Sequence, residues 1–264
     1  MTQVLLVGCG KMGGALLRGW LASGAIEDAA VVEPHPIDIP AGVTVAAALA
    51  ALPDPLPPTI LLAVKPQMLD TVLPDLRARL PEDALVISIA AGKTLAYFAD
   101  RLGAAVPVVR AMPNTPAAIG RGITVCCAGG KVTDAGRATA DALMRAAGDV
   151  AWIADEAMMH AVTAVSGSGP AYIFLLIEAL EDAAKAAGLP PALAAQLARA
   201  TVTGAAELAR QSADAPAKLR RDVSSPGGTT VAALAVLMGP DGLTALMTRA
   251  VAAAADRSEE LAKG

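Results

Sequence analysis

The chain has 264 residues, 55% of them hydrophobic and 17% charged, enough to bury a full core without a disulfide or a metal. Lys and Arg number 21 against 25 Asp and Glu, and aromatic residues make up 2%, which argues against a nucleic-acid binder with its positive surface and stacking rings. Gly (24) and Pro (19) together stay well under the roughly 25–30% that marks a low-complexity chain. Cys9, Cys126 and Cys127 include an adjacent pair and match no zinc spacing, so no metal site and a reduced, cytoplasmic setting are expected. The opening Met1-Thr2-Gln3-Val4-Leu5-Leu6-Val7 runs straight into a strand. It carries no cationic leader, no small-residue cleavage pattern and no apolar run of the roughly 18 residues that spanning requires, so no membrane partner is expected.

As far as about Ile153, short aliphatic runs alternate with helical stretches. The runs Val4–Val7, Val31–Val32, Ile60–Val64, Leu85–Ala90, Val106–Arg110 and Ile123–Cys127 each end in Gly, Pro or polar residues. This alternation predicts an α/β domain, a parallel sheet with helices on both faces. The segment Pro53-Asp54-Pro55-Leu56-Pro57-Pro58 can be neither helix nor inner strand and reads as a surface loop. After about Ala154 the strand signals stop, and Pro170–Ala187, Pro190–Gln211, Thr229–Met238 and Gly242–Lys263 read as an all-α second half. In the first of these helices Ile173, Leu176, Ile177, Leu180 and Ala184 form one face and Glu178, Glu181, Asp182 and Lys185 the other. The next carries Leu193, Leu197, Thr201, Gly204 and Leu208 on one stripe beside Ala200 and Ala205. Residues that small permit close helix approach, within one chain or between two.

The sharpest local signal is Gly8-Cys9-Gly10-Lys11-Met12-Gly13, which follows an apolar strand and opens a helix through Leu16, Leu17 and Trp20. In a dinucleotide fingerprint the first glycine makes the tight turn, the second lets the pyrophosphate approach the backbone, and the third lets helix and strand pack closely. Glu33 ends the second strand 20 residues after Gly13, where an acid accepts the ribose hydroxyls of NAD and repels the 2′-phosphate of NADP. A solvated loop glutamate would look the same. Ala63-Val64-Lys65-Pro66 and Ala90-Ala91-Gly92 stand at further strand ends, where a flat ring can approach the backbone, although Lys65 also reads as a plain loop lysine. Asn114 and Thr115 lie in the proline-stiffened loop Met112-Pro113-Asn114-Thr115-Pro116, suited to fixed hydrogen bonds near a cofactor or to an Asx turn.

Two glycine-rich loops, Ser166-Gly167-Ser168-Gly169-Pro170 and Ser224-Ser225-Pro226-Gly227-Gly228-Thr229-Thr230, each precede a helix and offer converging N–H groups and hydroxyls for a carboxylate. Helix capping alone accounts for one such loop. His35 and His160 have no evident nucleophile or carboxylate partner, so no triad is visible.

Taken together, these motifs resemble pyrroline-5-carboxylate reductase over almost the whole chain, most specifically in Ala164–Tyr172 and Ser224–Thr230. The resemblance implies a Rossmann domain at 1–154 and a helical substrate-binding and dimerisation domain at 155–264, with a homodimer that can build to a decamer of dimers. It implies that Gly8, Gly10, Lys11 and Met12 hold the cofactor phosphates, and that Ala63, Val64, Lys65, Pro66, Ala91 and Gly92, with Asn114 nearby, line the nicotinamide half. Ser225, Gly228, Thr229 and Thr230 would hold the substrate carboxylate and ring nitrogen, with Glu156 beside them, and Thr230 is the expected catalytic residue. The implied activity is reduction of Δ1-pyrroline-5-carboxylate to L-proline by NADPH or NADH. Glu33 departs from the small polar or basic residues of NADPH-using members and leans the choice to NADH. A β-hydroxyacid dehydrogenase would need a lysine in the helical half, which Lys185 and Lys218 match only by type. A redox-sensing module would leave the second glycine-rich loop without a purpose.

Overall fold

The computed structural model describes residues 3–26, 28–36 and 38–263, so Met1 and Thr2 of the opening segment lie outside the described residues. Two compact units emerge, Met1–Ser168 together with Ala254–Gly264, and Gly169–Ala253.

The first unit is built on an eight-stranded sheet: β1 (Gln3–Val7), β2 (Asp28–Val32), β3 (Thr44–Ala46), β4 (Thr59–Leu62), β5 (Leu85–Ser88), β6 (Val108–Met112), β7 (Gly122–Ala128) and β8 (Gly148–Ile153). Its spatial order is β3-β2-β1-β4-β5-β6-β7-β8. Four helices interleave with the strands: α1 (Lys11–Ser23), α2 (Leu69–Arg77), α3 (Leu95–Leu102) and α4 (Asp134–Arg145).

Because successive strand residues point to opposite faces, each strand feeds two cores. Val4 and Leu6 join Leu61, Ile87 and Val109 under Leu16, Leu17 and Trp20 of α1 and Leu143 and Met144 of α4. Leu5 and Val7 join Ile60, Leu62, Val86 and Val108 under Leu69, Leu73 and Leu76 of α2 and Phe98 of α3. The sheet is therefore covered on both faces, as the near-continuous aliphatic runs require.

The expected all-parallel sheet holds at six of the seven pairings; β7 runs antiparallel to β6, in the register Val109↔Ala128 and Ala111↔Cys126. Between β6 and β7 lies only the 3-10 turn Thr115–Ile119, and a parallel pair needs a crossover of roughly a dozen or more residues. β3, three residues long, and β8, Gly148-Asp149-Val150-Ala151-Trp152-Ile153, are not among the expected strands. Cys126 and Cys127 are buried on β7, and burial pushes the Cys126 thiol up to about 12.

The second unit holds α6 (Gly169–Ala186), α7 (Pro191–Gln211), α8 (Pro216–Asp222), α9 (Thr229–Leu237) and the greater part of α10 (Leu243–Lys263). Four of these lie within a residue or two of the expected helices. The fifth, α8, was not foreseen: it is seven residues long and polar, with Lys218 paired to Asp214 and Asp222. Here α6 packs on α7, yet Ile173, Phe174, Leu175 and Leu176 stay exposed, as do Val231, Val236 and Leu237 of α9.

The helical run Glu156–Ala186 has a mean hydropathy of 1.3 over its most apolar window and is, by length and composition, long enough to cross a membrane. This corrects the expectation that no apolar stretch reaches the length that spanning requires. Thr163 and Ser166-Gly167-Ser168-Gly169-Pro170 punctuate its apolar residues, while Glu178, Glu181, Asp182 and Lys185 all follow Ile177.

Trp20 is fully buried, and its indole N–H donates to the Leu143 carbonyl at 2.8 Å, satisfying one of the last carbonyls of α4. Trp20→Phe removes that donor and leaves both an orphan carbonyl and a small void. Urea unfolding is expected to show a loss of about 2–4 kcal/mol.

Candidate functional site

The order of strands reverses between β1 and β4, and in an open α/β sheet that reversal opens a crevice beyond the strand ends. The chain after β1 goes to one face with α1, and the chain after β4 goes to the other with α2. Gly8 turns the chain there at φ 93°, and a Cβ on it would stand 2.9 Å from the Ala63 backbone and from a Val64 methyl. Its N–H donates to the Val32 carbonyl, and Ala63 N–H donates to the Val7 carbonyl, both at 2.8 Å. Gly10 caps α1 without any side-chain bond, and a Cβ there would meet nothing within 4 Å. Gly13 lets the helix settle, since its Cβ would collide with the Gly8 carbonyl and come within 3.2 Å of the Ala63 side chain. The first turn of α1 therefore presents N–H groups to open space beside a cradle free of side chains, which fits a dinucleotide pyrophosphate. Lys11 is exposed and Met12 half-buried beside this cradle.

Glu33 lies at the end of β2, on the same side. Its Oε2 accepts the Cys9 N–H at 2.9 Å and its Oε1 accepts the His35 N–H at 3.1 Å, while its own N–H donates to the Ala46 carbonyl at 2.9 Å. Burial, and then the Glu33 carboxylate, push the Cys9 thiol up, with the Arg18 guanidinium opposing. Arg18 was not singled out from the sequence. It is exposed, and its guanidinium lies 3.4 Å from where a Gly14 Cβ would be, the signal being its i+4 spacing from that glycine.

Ala63 and Val64 abut Gly8, and the exposed Lys65 caps the short 3-10 turn Pro66–Met68. Ala91 and Gly92 form the turn after β5. The amide of Asn114 has structural partners: Oδ1 accepts the Ile123 N–H at 2.9 Å, and Nδ2 donates to the Ser166 carbonyl at 3.2 Å. Glu156 Oε1 accepts from both the Leu95 N–H at 2.8 Å and Arg110 at 2.9 Å, so it ties α3 to β6. Arg110 is the residue that sequence reasoning missed here. Its guanidinium side chain is only 4% exposed, and a charge so deeply buried needs such a partner. His160 Nδ1 lies 3.0 Å from Ser258 Oγ of α10, a partner 98 residues away in the chain.

Ser166-Gly167-Ser168-Gly169-Pro170, expected as a loop with free N–H groups, is helical. Met159–Val162 (α5) continues into a π-helical turn at Thr163–Gly167 and on to α6. Ser168 N–H donates to the Thr163 carbonyl and Ser166 Oγ to the Val162 carbonyl, so the helix itself uses groups that an anion would need. The other stretch is a true turn. Gly228 N–H donates to the Ser225 carbonyl at 3.0 Å, with Pro226 and Gly227 (φ 71°) at the two central positions of a type II turn. Gly228 then caps α9 without a side-chain bond, leaving the N–H groups and hydroxyls of Thr229 and Thr230 at the helix start. Thr230 is half-buried, and Ser225 and Thr229 are exposed.

Residues 156–261 match the family model described as pyrroline-5-carboxylate reductase dimerisation, and residues 3–92 match that of NADP oxidoreductase, coenzyme F420-dependent. A pyrroline-5-carboxylate reductase of Pseudomonas aeruginosa is 38% identical over 99% of this chain and 97% of its own length. The solved structure of a pyrroline-5-carboxylate reductase from Coxiella burnetii superposes with a TM-score of 0.92 at 35% identity, covering 100% of this chain and 99% of that one. The Plasmodium falciparum pyrroline carboxylate reductase, solved with NADP bound, superposes at 0.84 with 28% identity, covering 99% and 98%.

Glu156→Ala strips Arg110 of its counter-charge and Leu95 of its acceptor, and should cost about 2–4 kcal/mol in urea unfolding. Glu156→Gln keeps an acceptor and should cost clearly less. A role in touching substrate would give the opposite pattern, with the Gln variant slow in turnover at unchanged stability.

Proposed function

The chain belongs to the pyrroline-5-carboxylate reductase family, and from that premise we infer how its own residues carry the reaction. It is an oxidoreductase that reduces the cyclic imine Δ1-pyrroline-5-carboxylate to L-proline with NAD(P)H, the last step of proline biosynthesis. It is an oligomer, its helical half matching a dimerisation domain. The bound nicotinamide supplies a hydride for the imine carbon. The observation that carries the residue roles is the pair of turns with free helix-start N–H groups, one at Gly8–Gly13 and one at Ser225–Thr230.

In this reading Gly8, Gly10, Lys11 and Met12 hold the pyrophosphate, while Ala63, Val64, Lys65, Pro66, Ala91 and Gly92 line the nicotinamide half. Asn114 acts by fixing the loop beside them. Ser225, Gly228 and Thr229 take the substrate carboxylate, and the Thr230 hydroxyl orients the ring nitrogen, which accepts hydride best as an iminium. Glu156 supports the substrate region through Arg110. The boundary between a cofactor domain at 1–154 and a substrate and dimerisation domain at 155–264 falls just after β8. NADH serves at least as well as NADPH, supported by the Glu33 carboxylate at the end of β2. Two chains form a homodimer that covers the exposed faces of α6 and α9, with a decamer of dimers as the larger assembly. Unpaired thiols at Cys9, Cys126 and Cys127 support a cytoplasmic setting, and the small share of aromatic residues with an excess of acids over bases argues against a nucleic-acid partner.

Turnover of pyrroline-5-carboxylate should be seen with both reduced nicotinamides, with kcat/KM for NADH equal to or above that for NADPH. Thr230→Val should keep the melting temperature and lower kcat/KM by about ten- to a hundredfold. A change within about twofold, with a stability loss of about 1 kcal/mol, would mark Thr230 as a helix-start residue only. Light scattering should give no stable active monomer at assay concentration.

A further inference from the structure

Two successive amides of the glycine turn are tied to two successive residues at the end of β2. Gly8 N–H donates to the Val32 carbonyl at 2.8 Å, and Cys9 N–H donates to the Glu33 carboxylate at 2.9 Å. Glu33 is itself held, since its N–H donates to the Ala46 carbonyl and its second oxygen accepts the His35 N–H. The tie falls between Gly8 and Gly10, where the chain has least stiffness of its own. We propose that Glu33 is a positioning residue for the dinucleotide pyrophosphate: through the Cys9 amide it fixes the turn on which the phosphate-facing N–H groups stand, in addition to discriminating at the ribose. The inference rests on the reading of Gly8–Gly13 as the cofactor turn.

Glu33 thus has two separable effects. As an acceptor it pre-organises the turn, so the cost of ordering that turn does not fall on binding, and the effect is the same for both dinucleotides. As a charge it opposes only the 2′-phosphate. Glu33→Gln keeps an acceptor for Cys9 and removes the charge, its amide nitrogen turning toward the exposed His35 side. Glu33→Ala removes both.

NADPH is the deciding probe, because the two variants present it with the same charge and its adenine ribose carries a phosphate in place of the 2′-hydroxyl. Fluorescence titration of the full-length protein should show NADPH binding Glu33→Gln about tenfold or more tighter than Glu33→Ala. Hydrogen exchange at the Cys9 amide should stay slow in wild type and Glu33→Gln and quicken in Glu33→Ala. Equal NADPH affinity in the two variants, or an unchanged Cys9 amide in Glu33→Ala, would overturn the proposal and leave Glu33 as a charge alone. Should Glu33→Ala fail to fold, Glu33→Ser, whose short side chain does not reach the Cys9 amide, takes its place in both comparisons with the same expected and overturning results. A wild-type protein that binds neither NADH nor NADPH would overturn the cofactor reading and this inference with it.

Discussion

The rest of the molecule depends on one close approach, that of the Gly8 backbone to Ala63 and Val64 at the strand ends. A Cβ at Gly8 would stand 2.9 Å from the Ala63 backbone, and a Cβ at Gly13 would press on the Ala63 side chain. With neither present, β1 and β4 pair along the register Val4↔Thr59 to Val7↔Leu62, and the Ala63 N–H extends that ladder. From this point α1 and α2 leave for opposite faces, so the crevice between them cannot be filled by either helix. Two residues without side chains therefore do more than admit a cofactor. They let the winding direction change at the crevice proposed for the cofactor.

Around this point the protein uses carboxylates twice in the same way. Glu33 accepts the Cys9 amide, and Glu156 accepts the Leu95 amide while neutralising Arg110. Both residues draw attention as ligand-binding acids, and both also tie a backbone amide some distance away in the chain. A carboxylate that accepts a backbone N–H forms a charge-assisted bond, stronger than a neutral one, which suits a loop that must hold its shape when empty. Where such a carboxylate also meets a ligand, as proposed for Glu33, binding and scaffolding share one carboxyl group. Loss of activity in a variant at either position does not by itself identify a contact with substrate or cofactor.

The sequence was most legible where a local pattern has one structural solution. Apolar runs such as Val4–Val7 and Ile60–Val64 lead to inner strands, and Gly8-x-Gly10-x-x-Gly13 between strand and helix has few alternatives. It was least legible where the outcome depends on distant partners. The antiparallel turn of β7 follows from the shortness of the link after β6, which composition does not reveal. Ser166-Gly167-Ser168-Gly169-Pro170 has loop composition, yet the helix on either side runs through it by widening to a π turn, with Pro170 in the first turn of α6, where a missing N–H costs little. Arg110 went unremarked because its partner lies 46 residues on, and Asn114 could be assigned to a cofactor because Ser166, which takes its amide, lies 52 residues on. The family resemblance supplied roles for residues whose local patterns left several open.

The second unit poses the remaining physical problem. α9 is apolar all round, with Val231, Val236 and Leu237 exposed, and a helix of that kind is stable only when its whole circumference is covered. The same helix opens with the Ser225–Thr230 turn, whose N–H groups attract an anion more strongly as water is withdrawn from them. A second copy that covers the apolar sides of α9 also lowers the effective dielectric at its start. In the proposed dimer, with the substrate carboxylate at that turn, assembly and substrate affinity would be linked through one nine-residue helix. On that proposal, the apolar composition that makes α9 a poor surface helix would also strengthen its first turn as a site for a carboxylate once it is covered.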